Sequence, residues 1–149
     1  MPESSETLEV RVRRFEDVAA IQRLHHEYAR CLDVRDIATY SSLFAEDGEW
    51  LSGESRAVGR AAIFDLVTQI MEDLWREQDG RTVHLVGNAT IDVEGDTASG
   101  RVIWVFMRES ANGGPHVYLS GHYDDEYVRV GASWLFRRRE SSIDLPARR

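Results

Sequence analysis

The sequence is poor in most features that announce a catalytic or binding centre. It has one cysteine, Cys31, which excludes an internal disulfide and a thiolate metal cluster. There is no His-x-His strand pair and no His-Glu-x-x-His, and the adjacent His25 and His26 would diverge on a helix, so no metal is expected. No glycine-rich phosphate loop is present, and Ser41-Ser42 and Ser141-Ser142 lack a nucleophile-elbow context. The expectation is therefore a protein that works without a cofactor. No apolar run approaches the roughly 20 residues that cross a bilayer, and the acidic, polar start "MPESSETLEV" runs opposite to a secretory signal. A reducing cytoplasm and no membrane partner are expected.

Basic charge is also scarce. Eighteen basic against 26 acidic side chains give a formal net charge of −8, a balance that phosphate backbones repel, so nucleic acid is not an expected partner. The one dense basic run, Arg137-Arg138-Arg139, alternates faces if it lies in a strand. It reads as one or two inward or interface arginines plus a solvated one.

What is present is a soluble-type composition, 42% hydrophobic and 30% charged over 149 residues, enough for one substantial core and a single domain over 1–149. Val18, Ile21, Leu24, Tyr28 and Leu32 recur at helical spacing and predict a helix over about 17–33, with Asp17 or Glu16 as its cap. "DIATYSSLFAEDG" predicts a short helix capped by Asp36 and stopped at Gly48. "EWLSGESRAVG" reads as strand and turn. Ile63, Leu66, Val67, Ile70 and Leu74 then form a third helical stripe ending at Gly80. From residue 81 the period becomes two, and turn signals at Gly95-Asp96, Asn112 to Pro115 and Gly131 divide the rest into four long strands, most simply an antiparallel meander. Helices first and strands afterwards make the fold α+β.

Asp33 falls at the C-terminal end of the first helix, where exposed carbonyls make an acid cost about 0.3–1 kcal/mol. It either caps the next helix, pairs with Arg30 or Arg35, or has another task. Strict alternation in "RTVHLVGNATIDV" puts Thr82, His84, Val86, Asn88 and Thr90 on one face and Val83, Leu85, Ala89, Ile91 and Val93 on the other. "RVIWVFM" is apolar on both faces, so neither side of the sheet can be fully wet. Three helices covering one face leave the other for a second subunit, which predicts a homo-oligomer. A curved sheet over the helices would enclose a pocket with aromatic walls and with His84 and Asn88 among its few polar groups. Tyr28 and Asp33 can reach such a cavity. A carboxylate accepting a hydrogen bond from His84 would fix the ring's tautomer and make its other nitrogen an oriented general base. His122 is a further candidate for the pocket, although its setting, "GHYDDEYV", has the look of a solvated acidic edge.

The order of "YARCLD", "AEDGEW", "TVHLVGN" and "SGHYDDEYVRVGASWLFRRR" resembles the SnoaL-like branch of the nuclear transport factor 2-like superfamily over roughly residues 10–143. The pattern is that of scytalone dehydratase, bile-acid 7α-dehydratase and hexachlorocyclohexane dehydrochlorinase. The resemblance implies a cone-shaped α+β barrel whose curved sheet wraps a long helix around a deep apolar pocket, often in trimers. It implies a pairing of Asp33 with His84, a site tyrosine at Tyr28 and a pocket aromatic at Trp50. On the next strand this chain offers Trp104, Val105 and Phe106 where those lyases carry a further acid or histidine. Leaving-group help would then come from Tyr28, Asn88 or His122.

Together these readings give a cofactor-independent, dehydratase-like lyase acting on a small hydrophobic substrate of aromatic, polyketide or steroid type. Asp33, His84 and Tyr28 carry the chemistry, and Trp50, Val86, Asn88, Trp104, Phe106 and His122 hold the substrate. Isomerisation or deformylating C–C cleavage on the same dyad is the alternative among enzymes. An epoxide hydrolase would need a second buried carboxylate, which the sequence does not offer. A non-catalytic binding or oligomerising subunit is the alternative outside enzymes, and it predicts a closed pocket or an outward-facing His84. A trimer is favoured over a dimer.

Overall fold

The computed structural model describes residues 6–76 and 81–147. Its elements are α1 (Leu8–Asp33), α2 (Ile37–Ser42), β1 (Phe44–Ser52), β2 (Ser55–Val58), α3 (Arg60–Arg76), β3 (Thr82–Glu94), β4 (Thr97–Glu109), β5 (Pro115–Val130) and β6 (Ser133–Leu145). One six-stranded sheet runs in the order β2-β1-β6-β5-β4-β3. The four long strands are the expected antiparallel meander, and β1 joins β6 in parallel. The sheet is curved but stays open, with β2 and β3 as its edges.

Helix α1 begins nine residues before the expected start. Its cap is Thr7, whose hydroxyl accepts from Val10 N at 3.3 Å. The segment before Asp17 contains no glycine or proline to break a helix, so only its lack of core-facing residues hid it. Asp17 is no cap: it is buried, and its carboxylate accepts from Arg129 Nη2 at 2.8 Å and Trp134 Nε1 at 3.0 Å. Asp36 does cap α2, accepting from Thr39 N at 3.0 Å. Gly48 does not stop that helix. It lies within β1, where a Cβ would sit 3.0 Å from Ala45 O and 3.1 Å from Phe136 O, at the irregularity between Phe44 and Glu49 in the β1–β6 register. The expected end of the third helix at Gly80 lies outside the described residues.

Two bulges change which side chains face inward. In β3 the register slips between Gly87 and Thr90, and Asn88 takes φ 49°. One extra residue reverses the alternation, so His84 and Val86 share the inner face with Ala89, Ile91 and Val93, and Asn88 is exposed. In β6 the register slips opposite Glu126 and Tyr127. Phe136 and Arg139 both point inward as a result, with Arg137 exposed between the two inward positions.

The concave face carries Val102, Trp104, Phe106, Tyr123, Tyr127, Trp134 and Phe136, which close on Ile21, Leu24, Tyr28 and Leu32 of α1 and on Ile63 and Val67 of α3. At about 25 cal/mol per Å² of apolar area, this aromatic layer dominates the burial energy. Gly121 is required in it. A Cβ there would lie 1.8 Å from Ser142 O and 2.7 Å from Trp104 Cζ2, so only glycine lets the Trp104 ring lie against β5. The convex face leaves Val83, Leu85 and Ile103 exposed.

Candidate functional site

Asp33, the last residue of α1, extends its side chain across to β3. Its Oδ1 lies 2.6 Å from His84 Nδ1 and accepts from Thr82 Oγ1 at 3.3 Å, while Oδ2 accepts from His84 N at 2.9 Å. One carboxylate thus grips both the ring and the backbone of the same residue, which fixes the distance between helix end and strand. With Asp33 as acceptor, Nδ1 carries the proton and Nε2 is the nitrogen left unengaged by the carboxylate. The His84 ring stacks on Phe106 at 4.6 Å between centroids. Arg30, one of the alternative partners for Asp33, instead makes a two-pronged bond with Glu27.

His84 borders a cavity of about 220 Å³ that opens to solvent. Tyr28, Trp50, Trp104, Phe106 and Tyr123 supply its aromatic walls, α3 adds Val67, Ile70, Met71 and Leu74, and Ser52, Ser55 and Ser141 add small polar groups. On the Tyr28 side the hydroxyls are ordered. Tyr28 O accepts from Tyr40 OH at 2.6 Å and from Trp50 Nε1 at 3.2 Å, and the Tyr123 hydroxyl lies within reach of the Tyr28 proton beside the cavity. Burial, followed by the neighbouring Tyr28, holds the Tyr40 and Tyr123 phenols well above their ordinary range, so both remain protonated. Trp104 Nε1 is buried without a hydrogen-bond partner among the described residues.

Beneath this wall lies a charged cluster that sequence reasoning missed. Asp125, which the acidic look of "GHYDDEYV" placed at the solvated surface, is buried. It accepts from Arg139 Nε at 2.8 Å, from Arg139 Nη2 at 2.7 Å and from Tyr127 OH at 2.9 Å. Arg139 Nη2 also reaches His25 Nδ1 at 2.7 Å, and His25 Nε2 reaches Tyr127 O at 2.9 Å. Because the guanidinium can only donate, His25 Nδ1 is the acceptor and Nε2 carries the proton. The bonds therefore run along two arms from Arg139 to Asp125, one direct and one through His25 and Tyr127. Burial, aided by Arg139, pushes the His25 imidazole down to about 2, and it is neutral. The Arg139 guanidinium also lies 3.8 Å from the Tyr123 ring centroid and 4.2 Å from that of Tyr28. Asp125 is thus a second buried carboxylate, but it contacts the arginine from the core. The signal available in sequence was the pair of charged residues, Asp125 and Arg139, on otherwise aromatic strand faces.

Three other candidates do not line the cavity. His122 is on the outer face, with Nδ1 2.7 Å from Asp144 Oδ2 and Nε2 3.5 Å from Asp124 Oδ2, because inward positions of β5 fall on Tyr123 and Asp125. Asn88 is turned out by its bulge. Val86 packs against the core but does not line the cavity. Among the described residues no three His, Cys, Asp or Glu side chains are grouped to hold a metal, and no helix is long and apolar enough to cross a membrane. Cys31 is buried, which pushes its thiol up to about 11 and away from nucleophilic use.

Known proteins show the same architecture. A sequence model of the SnoaL-like domain matches residues 13–140. An uncharacterized protein of Mycobacterium tuberculosis, Rv2910c, is 30% identical over 131 residues, covering 86% of each chain. An NTF2-like protein with a cystatin-like fold from Novosphingobium aromaticivorans superposes with a TM-score of 0.82 at 31% identity, covering 97% of this chain and 94% of that one. A scytalone dehydratase-like protein from the same organism gives a TM-score of 0.72 at 26% identity, covering 89% and 87%.

Proposed function

The chain belongs to the SnoaL-like domain family, and from that premise we propose that it is a cofactor-independent lyase that eliminates water from a hydrophobic β-hydroxy ketone. The observation that supports this reading is the 2.6 Å contact between His84 Nδ1 and Asp33 at the wall of an aromatic cavity. His84 Nε2 removes a proton from the carbon beside the carbonyl, while Tyr28 donates to the carbonyl oxygen on which charge develops. The electron pair forms the C=C bond as the β C–O bond breaks, and the proton on His84 is returned to the departing hydroxyl, so water leaves and the imidazole is again neutral. At about 220 Å³ the cavity falls at the small end of ligand pockets, about 300–1,000 Å³. That favours a compact aromatic or polyketide-derived ring system over a steroid.

A non-catalytic binding module called for a closed pocket or an outward His84, and the open cavity with His84 at its wall favours the enzyme. The exposed Val83, Leu85 and Ile103 of the convex face support a homo-oligomer; that it is a trimer rather than a dimer, in the cytoplasm, is part of the proposal.

The test is to incubate the protein with aromatic and fused-ring β-hydroxy ketones and follow the absorbance of the conjugated enone. Asp33→Asn and His84→Gln are expected to lower kcat/KM by about 10²–10⁴, with Tyr28→Phe smaller. Product masses separate elimination from isomerisation, which keeps the mass, and from deformylation, which loses carbon. Binding without turnover supports the binding module, and turnover unaffected by His84→Gln refutes the dyad.

A further inference from the structure

The first nine residues of α1, 8–16, are all exposed, so more than two turns of helix stand clear of the fold. A free helix of this length is marginal in water unless a face of it is covered. Leu8, Val12, Phe15 and Ala19 recur at intervals of four, three and four, and all are exposed, Leu8 and Phe15 to more than 70%. At 3.6 residues per turn they form one stripe, on the side of the helix opposite Asp17, Ile21, Leu24 and Tyr28, which face the core. The helix is therefore apolar on two opposite sides, and only one of them is used within the chain.

We propose that the stripe Leu8-Val12-Phe15-Ala19 docks on the same stripe of a second copy of this chain, with the two helices parallel. The spacing is that of a heptad seam, with leucine and phenylalanine at the d positions and β-branched Val12 at an a position, a choice that suits a parallel pair. Arg11 and Glu16 flank the stripe on opposite sides, five residues apart, and neither has an ion-pair partner among the described residues. In a parallel two-fold pair Arg11 of each copy faces Glu16 of the other. An antiparallel pair sets like flank against like flank and loses that complementarity.

The test is the mass in solution, by light scattering and sedimentation, of the wild type, Phe15→Glu, Arg11→Glu and the double variant Arg11→Glu/Glu16→Arg. Phe15→Glu lies on the exposed stripe and is expected to halve the mass, whatever other interface the protein uses, with the cooperative unfolding of the core retained. Arg11→Glu is expected to weaken association by on the order of tenfold, and the double variant to restore it. A monomeric wild type, a mass unaffected by Phe15→Glu, or a double variant weaker than the single one overturns the proposal.

Discussion

Replacing Asp125 with asparagine keeps the shape of the side chain but removes the only carboxylate that Arg139 touches among the described residues. The guanidinium is fully buried and receives two bonds' worth of compensation from Asp125, at 2.8 and 2.7 Å. An amide there still offers one acceptor, but its NH₂ must face either another N–H of Arg139 or the Tyr127 hydroxyl, which now donates to Asp125 Oδ2 at 2.9 Å. Breaking a buried, hydrogen-bonded pair by removing one charge costs about 3–5 kcal/mol. The ring faces of Tyr28, Tyr123 and Phe136 around the guanidinium offset roughly 1 kcal/mol of that. A net loss of about 3 kcal/mol is expected, within the usual total of about 5–15 kcal/mol, so the variant folds but melts about 10 °C lower. Urea unfolding at neutral pH, followed by tryptophan fluorescence and circular dichroism, measures it. A loss below about 1 kcal/mol with an unchanged m-value refutes the reasoning. The paired substitution Arg139→Met/Asp125→Leu supplies a second check, because deleting both charges should cost less than deleting either.

The neutral His25 makes stability depend on acid. Its pKa is lowered from 6.5 to about 2 by burial, so the folded state stays neutral while the unfolded chain takes up a proton. The contribution is complete above pH 6.5 and is lost as pH falls, at about 1.4 kcal/mol per unit. Between pH 6.5 and 4.5 the wild type should lose about 2–3 kcal/mol more than His25→Gln, and parallel pH profiles would rule this out. Gly121→Ala should destabilise by at least about 3 kcal/mol, since the new methyl would meet a backbone oxygen at 1.8 Å; an unchanged melting temperature contradicts the packing. Asn88→Val should cost about 1–2 kcal/mol at φ 49°, whereas Asn88→Gly should stay within about 0.5 kcal/mol of wild type; equal stabilities for the two variants count against the bulge.

The periodicity of Ile21, Leu24, Tyr28 and Leu32 marked the buried face of α1, and the change of period after residue 81 marked the four strands, because both patterns come from burying one face. Asp33 and His84 were legible for a different reason: an acid at the wrong end of a helix and a histidine on a mixed strand face are each locally costly. What could not be read was phase. Asn88 was placed inside because strict alternation was carried past Gly87, and one inserted residue reverses every later side chain. The same event at Arg137 sends Arg139, not a neighbour, into the core. Asp125 was hidden because a carboxylate between Asp124 and Glu126 looks solvated until its partner, fourteen positions away on the adjacent strand, is known. The free start of α1 carried no core signal at all.

The cluster under the cavity gives the proposed reaction a direction. Burial keeps Tyr40 and Tyr123 protonated, and it is the largest influence on each. Against it, Arg139 favours their ionised forms, and at Tyr123 its influence exceeds the opposing one of Asp125. A phenol that cannot ionise but sits beside a buried cation is a strengthened hydrogen-bond donor rather than an acid that loses its proton. Tyr28 accepts the bond from Tyr40 and has Arg139 against its own ring face, and accepting a bond strengthens the one a hydroxyl donates. Across the cavity the carboxylate of Asp33 stands behind His84. An anion lies behind the base, and a cation paired with Asp125 lies behind the donor, so the proposed reaction predicts a substrate held with its carbonyl towards Tyr28. Neither Asp33 nor Arg139 has to touch the substrate for that preference to hold, because each acts through an aromatic side chain that does line the cavity.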